Sequence, residues 1–104
     1  MPKKQLVIAI LAPLLAAPCV AAPVLHITTE HSPPASMLAG RTVTGHGTEK
    51  VREIMARSGI SYTIELLPWK RAYTSALGRR NGCVYSTTRT EEREKLFKWV
   101  GPTD

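Results

Sequence analysis

Residues 61–78, SYTIELLPWKRAYTSALG, decide the fold class of this chain. The first half alternates apolar and polar residues, with Tyr62, Ile64 and Leu66 on one side, which predicts a half-buried β-strand. Pro68 stops the strand and suits the first turn of a helix, where a backbone N–H has no partner in any case. The apolar residues that follow fall on one helical face: Trp69, Ala72, Tyr73, Ala76 and Leu77.

Further strands and helices are predicted on both sides of this unit. Val24–Thr29 is rich in β-formers, and residues 48–58 carry one apolar helical stripe that ends at a glycine. Downstream, residues 83–86 predict a third strand, Thr90 caps a short helix, and residues 96–100 predict a fourth strand. Strands that alternate with helices indicate an α/β fold with a mainly parallel sheet and flanking helices.

The N-terminal segment has the features of a secretory signal peptide. Lys3 and Lys4 precede an apolar run at residues 6–15, and small residues follow as far as Ala22. A run of about ten residues is too short to cross a hydrocarbon core of ~30 Å. We therefore predict a signal peptide at residues 1–21 and a periplasmic mature protein; a short membrane anchor or a buried helix is the alternative.

Length, charge and cysteine content restrict the mature part to one small domain. The chain has 104 residues, a net charge of +6 and two cysteines. Residues 22–104 keep only Cys83, which we interpret as a small apolar residue of a strand. The basic residues form no long run, and Arg79 and Arg80 are the sole adjacent arginine pair. Without Lys3 and Lys4 the mature part has a net charge of +4, which suits anion binding or solubility, and a nucleic-acid partner is not expected.

Candidate binding residues follow the predicted strands, because ligands of open α/β sheets bind beyond the carboxyl ends of the strands. Glu30 begins a loop at residues 30–41 whose two prolines argue against regular structure, and residues 68–71 follow the second strand. Residues 86–93 offer four hydroxyls beside Arg89 and Arg93. Guanidinium groups and hydroxyls at a helix start form a receptor for carboxylate or phosphate. The alternative is a solvated loop with surface arginines.

Two stretches resemble the family 3 extracellular solute-binding proteins, relatives of the amino-acid receptors of ABC transporters. They are residues 67–73, LPWKRAY, and residues 83–102, CVYSTTRTEEREKLFKWVGP. The resemblance implies a two-lobed periplasmic binding protein type II fold, of which residues 22–104 would form an incomplete N-terminal lobe, lobe I. Family members are much longer, so the hinge and the second lobe would be missing from this chain.

The resemblance also implies binding roles. Ser86, Thr88 and Arg93 take the positions that hold the α-carboxylate in amino-acid binders, although serine is frequent where this chain has Thr88. The aromatic clamp after the first strand is not evident, since residues 31–34 stand there instead. Trp69 is a core residue first and a cleft contact second, and Arg71 is either a support or a ligand contact. The candidate ligand-binding residues are Ser86, Thr88, Arg93, Glu30, Trp69 and Arg71.

These expectations add up to a solute-binding protein for a small carboxylate such as an amino acid, with no metal or cofactor and no catalysis. An ABC permease would be the partner of the full-length form. One alternative is an interaction or oligomerising module, because the open edge of an incomplete sheet recruits partners. A second is a dehydratase-like enzyme of the same fold, in which Glu30 and His31 would act as an acid–base pair.

The predicted leader is tested by exporting the chain from a bacterial host. We expect cleavage between Ala21 and Ala22, which places small or compact residues at the cleavage site. The intact mass of the periplasmic protein should therefore correspond to residues 22–104. A periplasmic product that keeps Met1, or one that carries lipid on Cys19, would contradict the prediction.

Overall fold

The structure is a computed structural model that describes residues 22–101. The predicted signal peptide and its cleavage site lie largely outside the described residues, as do residues 102–104. The described part is a small α/β domain with a mainly parallel sheet of three strands and flanking helices. In chain order the elements are β1 (Val24–Thr29), β2 (Met37–Ala39), β3 (Thr42–Thr44), α1 (His46–Ser58), β4 (Ser61–Leu66), α2 (Trp69–Gly78), β5 (Gly82–Val84) and α3 (Glu91–Glu94).

Strand β1 is the centre of the sheet. The strand order is β4-β1-β5, and both pairings are parallel. All six residues of β1 have a partner in β4, from Val24 opposite Ser61 to Thr29 opposite Leu66. Only three β1 residues have a partner in β5. The sequence therefore predicts the parallel sheet correctly, and β5 forms a short edge strand.

Helix α2 packs tightly on one face of the sheet. The Thr28 hydroxyl donates to the Ala72 carbonyl oxygen at 2.8 Å, and Ala72 itself is fully buried. Such a close approach requires small residues, which explains alanines at both buried positions of this helix, Ala72 and Ala76. Successive side chains of a strand point to opposite faces, so Ile27 points away from α2. Ile27 is buried and lines the same groove as the buried Met55 of α1.

The segment between β1 and α1 contains a β-hairpin, which corrects the prediction of an irregular loop. Strands β2 and β3 pair antiparallel, and Gly40 turns the chain with a φ of 66°. The prolines at 33 and 34 lie before the paired residues, so they do not interrupt the ladder. The hairpin brings Val43 into the core.

The predicted fourth strand at residues 96–100 is wrong. Phe97 and Trp99 are half-buried and alternate with exposed Lys98 and Val100, which is the pattern that predicts a strand. The backbone of this segment, however, pairs with no strand of residues 22–101. Its aromatic side chains attach it instead: Phe97 packs edge-on against Tyr73 of α2 at a ring distance of 5.5 Å.

Two boundaries also differ from the prediction. Helix α1 begins at His46 rather than at residue 48, and β5 ends at Val84 rather than at residue 86. Gly45 precedes α1 with φ 118° and ψ 161°, a combination that only glycine adopts readily. Within residues 22–101, no helix is both long and apolar enough to cross a membrane.

Gly45 provides a test of this geometry. A Cβ atom at Gly45 would collide with the Ala35 carbonyl, whereas one at Gly59, at φ 73°, would meet nothing within 4 Å. We expect Gly45→Ala to lower the free energy of unfolding by about 2–4 kcal/mol. The matched change Gly59→Ala should cost only about 1 kcal/mol, the price of a left-handed backbone alone. Urea unfolding measures the free energy of unfolding of both variants. Equal losses would contradict the close contact between Gly45 and Ala35 before α1.

Candidate functional site

The carboxyl ends of the three parallel strands bring the predicted binding loops to one edge of the sheet. The Leu67 N–H donates to the Thr29 carbonyl at 2.9 Å, which places the residues after β4 beside the end of β1. The Tyr85 N–H donates to the Thr28 carbonyl at 3.2 Å, and the Thr29 hydroxyl donates to the Tyr85 carbonyl at 3.3 Å. Glu30 directly follows Thr29, and Ser86 directly follows Tyr85. The hydrogen bond between Thr29 and Tyr85 therefore brings the starts of these two loops together.

Arg93 contacts residues that follow two of these strands. Its Nη1 donates to the Thr88 carbonyl oxygen at 3.0 Å, so the two candidate residues are joined through the backbone. Its Cζ lies 5.6 Å from the ring centroid of Trp69 and 5.1 Å from that of Tyr73. A guanidinium above aromatic faces is stabilised by cation–π attraction. The structure thus brings together Thr88, Arg93 and Trp69, and it adds Tyr73, which the sequence interpretation assigned to the core only.

Four aromatic rings connect α2 to the C-terminal segment, and we call them the aromatic row; the first two of them contact Arg93. The row runs from Trp69 to Tyr73, then to Phe97 and Trp99, with successive ring centroids 5.5, 5.5 and 5.7 Å apart. The last two pairs are edge-to-face, a favourable geometry for aromatic pairs. The packing of the row holds in place the Trp69 and Tyr73 rings that the Arg93 guanidinium contacts.

Arg89 behaves differently from Arg93. Its Nε and Nη2 donate to the two carboxylate oxygens of Glu94 at 2.8 and 2.6 Å, a bidentate pair. The hydrogen bond from Arg89 lowers the pKa of the Glu94 carboxyl, although both side chains are exposed. Trp99 also contacts this pair, since its Nε1–H donates to the Glu94 carbonyl oxygen at 3.3 Å. Arg89 is therefore already paired.

Arg93 has no acidic partner among residues 22–101. The residue as a whole is half-buried, and one guanidinium nitrogen donates to the Thr88 carbonyl oxygen. A guanidinium carries five N–H donors, so several remain for a ligand. Of the two arginines that the sequence offered, the structure leaves Arg93 available for an anion.

The loop after β5 supplies hydroxyl groups. Ser86 has a φ of 59°, and Ser86 and Thr88 are both exposed. Neither hydroxyl makes a hydrogen bond within the described chain, so both are available to a ligand. The Thr87 hydroxyl oxygen is buried and has no partner among these residues. An unpaired buried hydroxyl costs free energy, and a water molecule or a ligand at this loop would supply the missing partner.

No hydrogen bond or ion pair in residues 22–101 joins the side chains of the remaining two candidates, Glu30 and Arg71, to this cluster. Glu30 is half-buried, and its carbonyl accepts a hydrogen bond from the Ser36 hydroxyl at 2.7 Å. Arg71 is exposed on α2, and no ion pair or cation–π contact in residues 22–101 joins its side chain to Arg93 or Ser86. The structure therefore does not add Arg71 to the cluster.

The loop after β5 is anchored to α1 by Tyr85. The Tyr85 and Thr48 hydroxyl oxygens are 2.6 Å apart, and Thr48 is fully buried in the first turn of the helix. Burial raises the pKa of the Tyr85 phenol, and the hydrogen bond with Thr48 opposes that shift. This contact sets the position of Ser86 relative to the helix, and the sequence carried no signal for it because the two residues are distant in the chain.

The cluster contains groups that are able to bind an anion. One free guanidinium lies beside hydroxyl and carbonyl groups at the carboxyl edge of a parallel sheet. No group of three His, Cys, Asp or Glu side chains in residues 22–101 is arranged to hold a metal ion. Glu30 and His31 adjoin each other in sequence, but no hydrogen bond among the described residues joins their side chains.

Compared with protein-family models, with curated proteins and with solved structures, the chain gives no match.

The Thr48–Tyr85 contact yields a test of the loop anchor. We expect Tyr85→Phe to lower the free energy of unfolding by about 1–2 kcal/mol, because the buried Thr48 hydroxyl loses its partner. The double variant Tyr85→Phe with Thr48→Val removes both polar groups, so it should lose less than the sum of the single changes. Urea unfolding of the four proteins gives the coupling, and strictly additive losses would contradict it.

Proposed function

We propose that the chain is the N-terminal part of lobe I of a periplasmic solute-binding protein of the ABC-transporter type, with a small carboxylate such as an amino acid as its ligand. One observation carries the proposal. Arg93 is a half-buried arginine without an acidic partner in the described chain, and it lies at the sheet edge where ligands of α/β domains bind. The resemblance of residues 67–73 and 83–102 to that family agrees with this placement.

The binding mode follows from the donors that remain free. A carboxylate would accept hydrogen bonds from the Arg93 guanidinium and from the hydroxyls of Ser86 and Thr88. Charge-assisted hydrogen bonds of this kind are about twice as strong as neutral ones. Trp69 and Tyr73 hold the guanidinium in place before the ligand arrives, which reduces the entropy that binding must cost. Glu30 would face the amino group of an amino acid.

The affinity of this chain alone is expected to be low. Two-lobed receptors gain affinity when the lobes close over the ligand, and on this proposal the chain supplies only part of one lobe. A ligand on one face stays partly in water, where each charged contact is weaker. The ABC permease is proposed as a partner of a two-lobed form.

A second candidate function is an interaction module, favoured by one specific observation. A groove of about 820 Å³ runs along the open side of the sheet, and its walls are largely apolar.

The proposed function is tested by thermal unfolding of the protein expressed from the whole chain. Glutamate, alanine, lysine and succinate are added at 10 mM, and sodium chloride of equal ionic strength is the reference. If the Kd of the preferred compound is about 1 mM, linkage at tenfold excess raises the melting temperature by roughly 6–11 °C.

The control variants separate the site from general charge effects. Arg93→Ala should abolish the rise, whereas Arg80→Ala removes the same charge from an exposed turn residue and should keep it. A rise that survives Arg93→Ala would contradict the assignment of the site. A cooperative melt that no compound shifts would contradict the function.

A further inference from the structure

Two arginines adjoin the hydroxyls that the proposed carboxylate site uses. Arg93 Nη1 donates to the Thr88 carbonyl oxygen at 3.0 Å, and Arg89 is the residue that follows Thr88. Arg89 also lines the same groove as Ser86 and Thr88. A ligand that binds these hydroxyls therefore has two guanidinium groups nearby, and the charge that each one presents decides which anions the site accepts.

Glu94 neutralises one of these two arginines. Its carboxylate accepts two hydrogen bonds from Arg89, at 2.8 and 2.6 Å, so the Arg89–Glu94 pair carries no net charge. Arg93 has no ion pair in residues 22–101 and keeps its full charge. The two arginines of this loop and helix thus present a single net positive charge to a ligand.

Trp99 holds both members of the Arg89–Glu94 pair. Its ring centroid lies 5.2 Å from Arg89 Cζ, and its Nε1–H donates to the Glu94 carbonyl oxygen at 3.3 Å. The two side chains nevertheless remain 55% and 49% exposed, so a ligand can reach them. Because the ring positions Arg89 without its carboxylate partner, loss of the Glu94 charge would leave an arginine that is able to bind an anion.

The charge of the ligand determines how it meets the Arg89–Glu94 pair. One guanidinium binds one carboxylate through two parallel hydrogen bonds, so a dicarboxylate needs a second cation for its second group. At this site the second carboxylate would meet a neutral pair, and the Glu94 oxygens would repel it. A repulsive group of this kind creates specificity, since a ligand with one carboxylate loses nothing there.

We propose that Glu94 determines the specificity of the Arg93 site: by pairing with Arg89, it restricts the site to ligands that present one carboxylate and disfavours dicarboxylates. The ligand class is therefore that of monocarboxylates, which includes the amino acids with uncharged side chains and excludes glutamate and succinate as preferred ligands. This inference rests on the proposed function, because it requires that a carboxylate binds at Arg93.

The test compares two matched pairs of compounds, succinate with succinamate and glutamate with glutamine, in which an amide replaces one carboxylate at equal length. The protein expressed from the whole chain carries a nitrogen isotope label, and the indole N–H signals are followed at constant ionic strength. Trp69 lies beside Arg93 and Trp99 beside Arg89, so each signal reports on one guanidinium. We expect the Trp69 signal to shift, and succinate to bind at most about twofold more tightly than succinamate, the statistical advantage of two equal ends.

Variants of the pair separate the role of Arg89 from general electrostatics. Glu94→Gln should raise the preference for the dicarboxylate of each pair about fivefold, the upper range for one exposed charge pair, and the dicarboxylate alone should then also shift the Trp99 signal. Adding Arg89→Ala should remove this gain, whereas adding Arg89→Lys should keep most of it. Glu91→Gln makes the same charge change at an exposed α3 residue without an ion pair in residues 22–101, and the preference should stay within about twofold.

The outcomes distinguish this inference from the proposed function. Arg89→Ala alone is an independent arm, because it leaves the Glu94 carboxylate unpaired and should lower the preference for the dicarboxylates. An unchanged preference in Glu94→Gln, an equal gain in Glu91→Gln, or a gain that persists after Arg89→Ala would overturn the role of Glu94 while carboxylate binding stands. If no compound of either pair shifts an indole signal of the cooperatively folded protein, the proposed function fails and the inference fails with it.

Discussion

The described structure depends on the pairing of strand β1 with both of its neighbours. β1 alone among the three parallel strands has two partners, and its Thr28 and Thr29 hydroxyls add hydrogen bonds to α2 and to the residues of β5 and its loop. These side chains are buried, so their hydroxyls must find acceptors within the fold. The strand that carries the core thus also determines where the loops after β1, β4 and β5 meet, and with them Arg93.

Local patterns predicted most of the elements because their causes are local. Alternating apolar and polar residues predicted β4, and Pro68 marked the start of α2. Thr90 caps α3, because its hydroxyl accepts a hydrogen bond from the Arg93 N–H at 3.2 Å. The pattern at residues 96–100 misled for a physical reason. Alternating burial arises wherever every second side chain meets a surface, and here the aromatic rings meet α2 without any strand beside them. The hairpin was missed because the prolines lie just before it.

The sequence names the candidate site residues, but it does not show how the two arginines among residues 86–93 are paired. The positions of Ser86, Thr88 and Arg93 follow from the chain order and the parallel sheet, and the cation–π contact with Trp69 agrees with their grouping. The sequence cannot show that Glu94 binds Arg89 and leaves Arg93 without an acid in the described chain. Tyr85 and Thr48 were missed as well, because a contact across 37 residues has no periodicity of its own.

The central position of β1 has a consequence for the time course of folding. β1 is first in the described chain, yet its parallel partners begin at Ser61 and Gly82. No stable sheet can therefore form while only the first half of the chain has been synthesised, and closure of the long loops limits the folding rate. Until β4 and β5 emerge, the strand that will be most deeply buried has no partner and remains accessible to factors that handle unfolded chains.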